Sequence, residues 1–208
     1  FEDTLVIFCA DHGDFLGDHW LGEKELFYDT VQRVPFIVVD PRKSADATRG
    51  TTDDRFVECV DVVPTILDAL GIPIPSHRIE GRSLLPLLQG QTPPWRDLVY
   101  AELDYGFKQA RERLGRHPQQ CRAFSLRTAT HRYVNWLDLP EQLYDLRCDP
   151  DQFEDLGQDL GTSVLRSQLR DQLLDFLAHR KHRTTLSDEA VIAGTNKHKA
   201  AGVFYGQW

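Results

Sequence analysis

"TLVIFCADHGDFLGDHWLGEKELFYDTVQRVPFIVVD", residues 4–40, decides how this chain folds. It opens on a short apolar run, Thr4 to Ala10, rich in β-branched residues and free of polar alternation, and it closes on a second run, "VPFIVVD" at 34–40. Runs of this kind, bounded by glycine and polar residues, predict strands buried on both faces of a parallel sheet. Between them a polar, glycine-punctuated connection leaves the carboxyl end of the first strand, the edge at which open α/β sheets bind ligands. That connection carries Asp11, His12, Asp18, His19 and Lys24.

Outward from this stretch the chain continues as a polar loop, 43–54, and then "VDVVPTILDALG" at 60–71. The latter predicts a helix: Asp61 can cap it, Pro64 is tolerated only in its first turn, and Gly71 ends it. Val62, Ile66, Leu67 and Leu70 recur at helical spacing, which makes the element part of the core. "GRSLLPLLQG" at 81–90 offers a further helical turn before the break "QTPPW" at 91–95. The break divides an α/β core, 1–92, from a second part, 93–185. There the short runs at 98–103, 123–129, 131–137 and 142–146 predict an antiparallel meander. The charged stretch 104–122 reads as an arm outside the core. From Thr162 to about His182, Val164, Leu165, Leu169, Leu173, Phe176 and Leu177 mark an amphipathic helix that Thr162 or Ser163 can cap. The basic run "HRKHR" at 179–183 suits its C-terminal end. Residues 186–208 end in the aromatic "GVFYGQW", a tail expected to dock on its own domain or on a neighbouring subunit. The fold class is α/β, an α/β sandwich region followed by a small antiparallel sheet with a packed C-terminal helix.

The chain has 208 residues, 41% of them hydrophobic, enough for one substantial core. A formal charge of -8 argues against a sequence-independent grip on nucleic acid or anionic lipid, and no apolar run approaches the roughly 18 to 20 residues that span a bilayer. The first residues run directly into a core strand and no methionine occurs anywhere. The expectation is therefore a chain that begins within a longer protein, placed in the cytoplasm unless an upstream leader directs otherwise. Cys9, Cys59, Cys121 and Cys148 are scattered without a C-x-x-C pair, and buried free thiols are expected.

A carboxylate and an imidazole together at a strand end form a ready half-set of ligands for a divalent cation, although the same dipeptide also suits a capped turn. Gly13 permits a tight turn there, and Gly17 and Gly22 allow the following backbone to pack closely. Lys24 can fold back toward the strand end, where a lysine binds an anion or steadies charge on a departing oxygen. Flanked by Glu23 and Glu25, it also reads as an ordinary solvated residue.

With its continuation through Pro41, this stretch resembles the second metal-ligand segment of the alkaline-phosphatase-superfamily sulfatases, most of all their sulfatase-like phosphonate monoester hydrolases. Their pattern is a hydrophobic strand, [ST]-D-H-G-x-x-x-G-[DE]-H, a lysine shortly after, and a "VP" leading to the next strand; Ala10 stands where Ser or Thr is usual. The resemblance continues through "VECVDVVPTILDALGIPIPSHRIEGRSLLPLLQG" at 57–90. It recurs in "QLYDLRCDPDQFEDL" at 142–156, which is similar to the family's "ELYDLxxDPxExxNL". It implies that Asp11 and His12 are metal ligands, that Lys24 contacts the transferring sulfuryl or phosphoryl group or its leaving oxygen, and that Asp18 and His19 support the pocket. The implied cofactor is one divalent metal ion, Ca2+ or Mn2+ foremost, with Mg2+ or Zn2+ as alternatives. The family's nucleophile is a formylglycine made from cysteine in C-x-[PA]-x-R. Only Cys121, in "CRAFS", has Ala at the third place, and Ser125 stands where Arg is required, so the nucleophile is expected upstream. The expected activity is hydrolysis of a small anionic sulfate, phosphate or phosphonate ester. The alternatives are a two-zinc phosphodiesterase or nucleotide pyrophosphatase of the same superfamily, and a non-catalytic binding or oligomerisation part. From charge and hydropathy no nucleic-acid or membrane partner is expected, and the arm 104–122 and the tail are expected to form a homo-oligomer.

Overall fold

The computed structural model describes residues 2–202. The two opening apolar runs form β1 (Val6–Cys9) and β2 (Phe36–Val39), and these pair with each other antiparallel, Val6 opposite Val39 and Cys9 opposite Phe36. The expectation of a parallel pair is corrected; within these 208 residues Phe8 is 60% exposed and Ile37 57%. An unalternating β-branched run reports a strand suited to burial, but backbone hydrogen bonds are satisfied by either direction of pairing, so the run does not encode its neighbour's direction.

Helix α1 (Asp29–Gln32) lies in the connection between these strands, and α2 (Val62–Ala69) and α3 (Leu85–Leu88) follow β2. Next come β3 (Leu98–Asp104), α4 (Gln109–Arg113), β4 (Arg122–Thr128), β5 (His131–Trp136), β6 (Gln142–Asp145), α5 (Ser163–His179) and α6 (Asp188–Gly194). The expected meander is present, antiparallel throughout, in the order β3-β4-β5-β6. Period-two alternation gives its faces opposite characters. Leu126, Tyr133 and Leu143 pack under Leu169 and Leu173 of α5. The other face carries Ala123, Ser125, Arg127, Arg132 and Val134, and Phe27 from the β1–β2 connection packs onto Ala123 and Val134. The sheet is thus held between α5 and the segment that bears the candidate site.

Asp61 is fully buried and does not cap α2 with its side chain. Its carboxylate instead accepts the backbone N–H groups of Glu58 at 2.9 Å and Arg82 at 2.7 Å, and both terminal nitrogens of Arg96, Nη2 at 2.6 Å. One side chain therefore ties the start of α2 to the segments before α3 and before β3. The inward side of α2 is Pro64 and Thr65; Thr65 Oγ1 donates to the Asp61 carbonyl at 2.6 Å and accepts from Leu84 N–H at 2.9 Å. Ile66 and Leu70, expected in the core, are 41% and 68% exposed. Helical spacing identifies an apolar stripe without identifying what covers it.

The arm 104–122 is less detached than its charge suggests. Tyr105 and Cys121 are buried, Arg116 Nη2 donates to the Leu137 carbonyl at 2.8 Å, and Lys108 pairs with Glu25. Of the four thiols expected to be buried only Cys121 is; Cys9, Cys59 and Cys148 are exposed. Neither Thr162 nor Ser163 caps α5 with its side chain; Thr162 Oγ1 donates to the Leu156 and Asp159 carbonyls, each at 2.9 Å. Beyond α5, Arg180 reaches Glu80 at 3.3 Å and Lys181 the Ile79 carbonyl, so part of the basic run binds the first region of the chain. Residues 203–208, most of the aromatic tail, lie outside the described residues. No helix among the described residues is long and apolar enough to cross a membrane.

Removing one partner of a buried ion pair strands the other, at a cost of about 3–5 kcal/mol. Asp61→Ala should lower the unfolding free energy by that amount in urea denaturation; a loss of about 1 kcal/mol or less would show that Asp61 does not organise the α2 region.

Candidate functional site

The chain leaves β1 through Ala10 into Asp11 and His12. The His12 ring Nδ1 lies 2.7 Å from the Gly13 carbonyl, which can only accept, so Nδ1 carries the proton and in the neutral ring Nε2 presents its lone pair. That lone pair lies 3.4 Å from Asp11 Oδ2, while Oδ1 accepts the His12 backbone N–H at 3.1 Å. A histidine oriented by a backbone carbonyl on its other nitrogen is the usual arrangement of a metal-ligating imidazole. An imidazole nitrogen and a carboxylate oxygen that face each other are donor types that would hold a divalent cation. The two residues therefore fit a divalent cation as two of its ligands. Among the described residues no group of three or more His, Cys, Asp and Glu side chains is placed to hold a metal ion.

The following loop is closed by hydrogen bonds from Phe15 N–H to the Glu23 carbonyl and from Gly17 N–H to the Leu21 carbonyl, both 2.9 Å. It turns through left-handed backbone at Leu16, Gly17, His19, Trp20 and Glu23. Non-glycine residues in that region cost of order 1 kcal/mol each and persist only where packing over-determines them. Here Phe15 is buried, and the His19 ring is stacked between Tyr28 at 4.0 Å and Phe153 at 4.6 Å. Asp18 Oδ2 accepts the Thr30 hydroxyl at 3.1 Å. Asp18 and His19 thus brace the loop against α1 and the Phe153 turn, and among the described residues neither is hydrogen-bonded or ion-paired to Asp11 or His12. Lys24 is exposed, and its ammonium has no partner among the described residues. The structure brings Asp11 and His12 together, and groups Asp18 and His19 separately.

Close packing falls on Gly13, where a Cβ would lie 2.3 Å from the Thr30 carbonyl, and not on Gly17 or Gly22, where an added Cβ would meet nothing within 4 Å. Gly13 N–H donates to the Val31 carbonyl at 2.8 Å, fastening the Asp11–His12 pair to α1.

What holds α1 was missed in the sequence. Asp29, its first residue, receives Arg127 Nη2 at 2.9 Å and Arg132 Nη2, both from the polar face of the meander. Arg132 is 2% exposed and also donates to Gln32 at 2.8 Å. The Asp29 backbone N–H donates to Gln152 Oε1 at 2.8 Å. Burial pushes the Asp29 carboxyl upward, but Arg127 and Arg132 outweigh it and hold the group below the ordinary aspartate range. Burial pushes the Arg132 guanidinium down. The signal that could have found this cluster is alternation: Arg127 and Arg132 occupy the same face as Ala123 and Val134, a face that must dock on something carrying negative charge.

The depressed Asp29 value sets the sign of an acid effect. Its stabilisation is present above the unfolded-state value near 3.8 and is lost as pH falls below it, through the lower folded value. Asp29→Asn should therefore be less stable than wild type at neutral pH by about 3 kcal/mol. Its stability should also fall less steeply than wild type between about pH 5 and pH 2. Denaturant titrations across that range check both; parallel curves would contradict the assignment.

Comparison with known proteins places these features in context. The sequence family described as "N-sulphoglucosamine sulphohydrolase, C-terminal" matches residues 17–179. The "Multifunctional alkaline phosphatase superfamily protein PehA" of Trinickia caryophylli is 34% identical over 159 residues, 74% of this chain and 30% of that protein. Human "Arylsulfatase K" is 30% identical over 165 residues, 73% of this chain and 27% of that protein. The structure superposes on the phosphonate monoester hydrolase of Agrobacterium radiobacter with a TM-score of 0.78 and 32% identity, covering 85% of this chain and 35% of that one. For the Silicibacter pomeroyi phosphonate monoester hydrolase the TM-score is 0.80 and the identity 30%, with 91% of this chain and 38% of that one covered. The chain spans roughly a third of the length of these relatives.

Proposed function

Since this chain belongs to the sulfatase family, within its N-sulphoglucosamine sulphohydrolase C-terminal group, we propose that it is the C-terminal part of a metal-dependent hydrolase of sulfate or phosphonate esters. The observation that carries the reading is the facing pair of donors on Asp11 and His12, with the His12 tautomer fixed by the Gly13 carbonyl. Asp11 and His12 hold one divalent cation, Ca2+ or Mn2+ foremost and Mg2+ or Zn2+ as alternatives, which when bound supplies Lewis-acid polarisation of the ester. Lys24, with its ammonium unengaged, is available to bind the anionic group or the departing oxygen, where a fixed positive charge lowers the barrier most. Asp18 and His19 keep the loop in shape. The nucleophile, a formylglycine by the family resemblance, and the remaining ligands come from outside these 208 residues. The arm 104–122 presents Phe107, 99% exposed, and supports the reading of this segment as a contact between copies.

The test uses the enzyme that contains this chain, with p-nitrophenyl sulfate and a phosphonate monoester as substrates. Asp11→Asn and His12→Ala should each lose bound metal by elemental analysis while leaving the circular dichroism spectrum unchanged; full metal content in either variant would contradict the ligand assignment. Lys24→Ala should lower kcat by about 100-fold or more with a smaller change in KM. A wild-type kcat would return Lys24 to the solvated surface.

A further inference from the structure

The loop that joins the Asp11–His12 pair to Lys24 holds two large apolar side chains in solvent: Leu16 is 89% exposed and Trp20 90%. Both stand in left-handed backbone, at φ 48° and 56°, where a glycine would carry neither the strain nor the apolar surface. His19 lies in the same region at φ 52°, and for it the ring stack with Tyr28 and Phe153 offsets the cost. Among the described residues no comparable burial offsets it for Leu16 or Trp20. Strain retained at exposed, bulky residues is a mark of a functional segment, and so is apolar surface gathered beside a polar site.

Trp20 is paired with a ring from a distant part of the chain. Its centroid lies 6.2 Å from that of Phe153 with the planes at 69°, so the two rings form an open corner. Phe153 is supported from behind by its stack on His19 at 4.6 Å and is still 61% exposed. Backbone hydrogen bonds from Phe15 to Glu23 and from Gly17 to Leu21 hold the loop on the other side, so the corner is formed in advance of any ligand. Thr30 fixes where it stands. The Thr30 carbonyl abuts Gly13, the neighbour of His12, and its hydroxyl donates to Asp18, two residues before Trp20, at 3.1 Å. Trp20 is therefore separated from His12 by one threonine and about three chain steps of about 3.8 Å each. Lys24 closes the same loop four residues after Trp20.

We propose that the Trp20–Phe153 corner receives a ring on the organic group of the ester, an aryl ring or the apolar face of a sugar ring, and that Trp20 is thereby a specificity-determining residue. The inference rests on the hydrolase reading and deepens it. Asp11, His12 and Lys24 address the anionic group, which all these esters share, whereas the corner addresses the part by which they differ. A ring entering the corner stacks on one aromatic face, meets the other edge-on and removes apolar area from water on both. A methyl ester has too little surface to fill it.

The test uses the enzyme that contains this chain and compares kcat/KM for the phenyl, glucose-6 and methyl monoesters of the acid it hydrolyses. Trp20→Ala should lower kcat/KM by about tenfold or more for at least one of the two ring esters, chiefly through KM, and leave the methyl ester within about twofold of wild type. Which ring ester suffers tells an aryl ligand from a sugar. Trp20→Phe, which keeps a ring in the corner, should retain most of the ring-ester activity. Equal loss on all three esters would make Trp20 a structural residue and overturn the inference, as would unchanged kcat/KM in Trp20→Ala or a Trp20→Phe enzyme as poor as Trp20→Ala. Wild-type enzyme that hydrolyses none of these esters would overturn the hydrolase reading and this inference with it; an active wild type with an unselective Trp20→Ala overturns this inference alone.

Discussion

The carboxylate of Asp29 is the point through which the candidate site is held to the rest of the molecule. It stands at the first residue of a four-residue helix too short to persist by itself, and Arg127 and Arg132 reach it from adjacent strands of the meander. The same short segment is fastened by Phe27 against Ala123 and Val134, and by Gln152 on the Asp29 backbone. Gly13 then hangs from Val31 by one hydrogen bond, and Asp11 and His12 follow from it. A buried ion pair of this kind need not be worth more than an apolar contact of the same volume. What it supplies here is register: two guanidinium groups in a docking face accept only a partner with a carboxylate in one place.

Rigidity and exposure are divided along this chain of contacts. The supports are buried or stacked, as with Phe15, Arg132 and the His19 ring between Tyr28 and Phe153. The candidate site residues are open: the Asp11 side chain is 87% exposed, and Lys24 is exposed. Several residues in left-handed backbone make the loop between them costly to form, and the aromatic stack offsets that cost. Such an arrangement holds donor atoms in place without closing them off.

Much of this was legible in the sequence, and the exceptions share a cause. The meander and α5 were readable because their residues alternate or recur with the period of the element that buries them. The Asp-His pair and Lys24 were readable as candidate chemistry from residue type and setting. Strand direction in β1 and β2, the exposed stripe of α2 and the true work of Asp61 were not. Each depends on a neighbour distant in sequence, such as Arg96 for Asp61. Arg127 and Arg132 passed as ordinary strand residues because their partner lies about a hundred positions away.

Native-state hydrogen exchange at Gly13 measures the central dependence most directly, since its amide donates the hydrogen bond that joins the Asp11–His12 segment to Val31 of α1. If Asp29 holds that segment in place, Asp29→Asn should strip protection from the Gly13 amide to a greater extent than from the amides of β5. Equal loss at both, or a Gly13 amide that keeps its wild-type protection, would contradict the account.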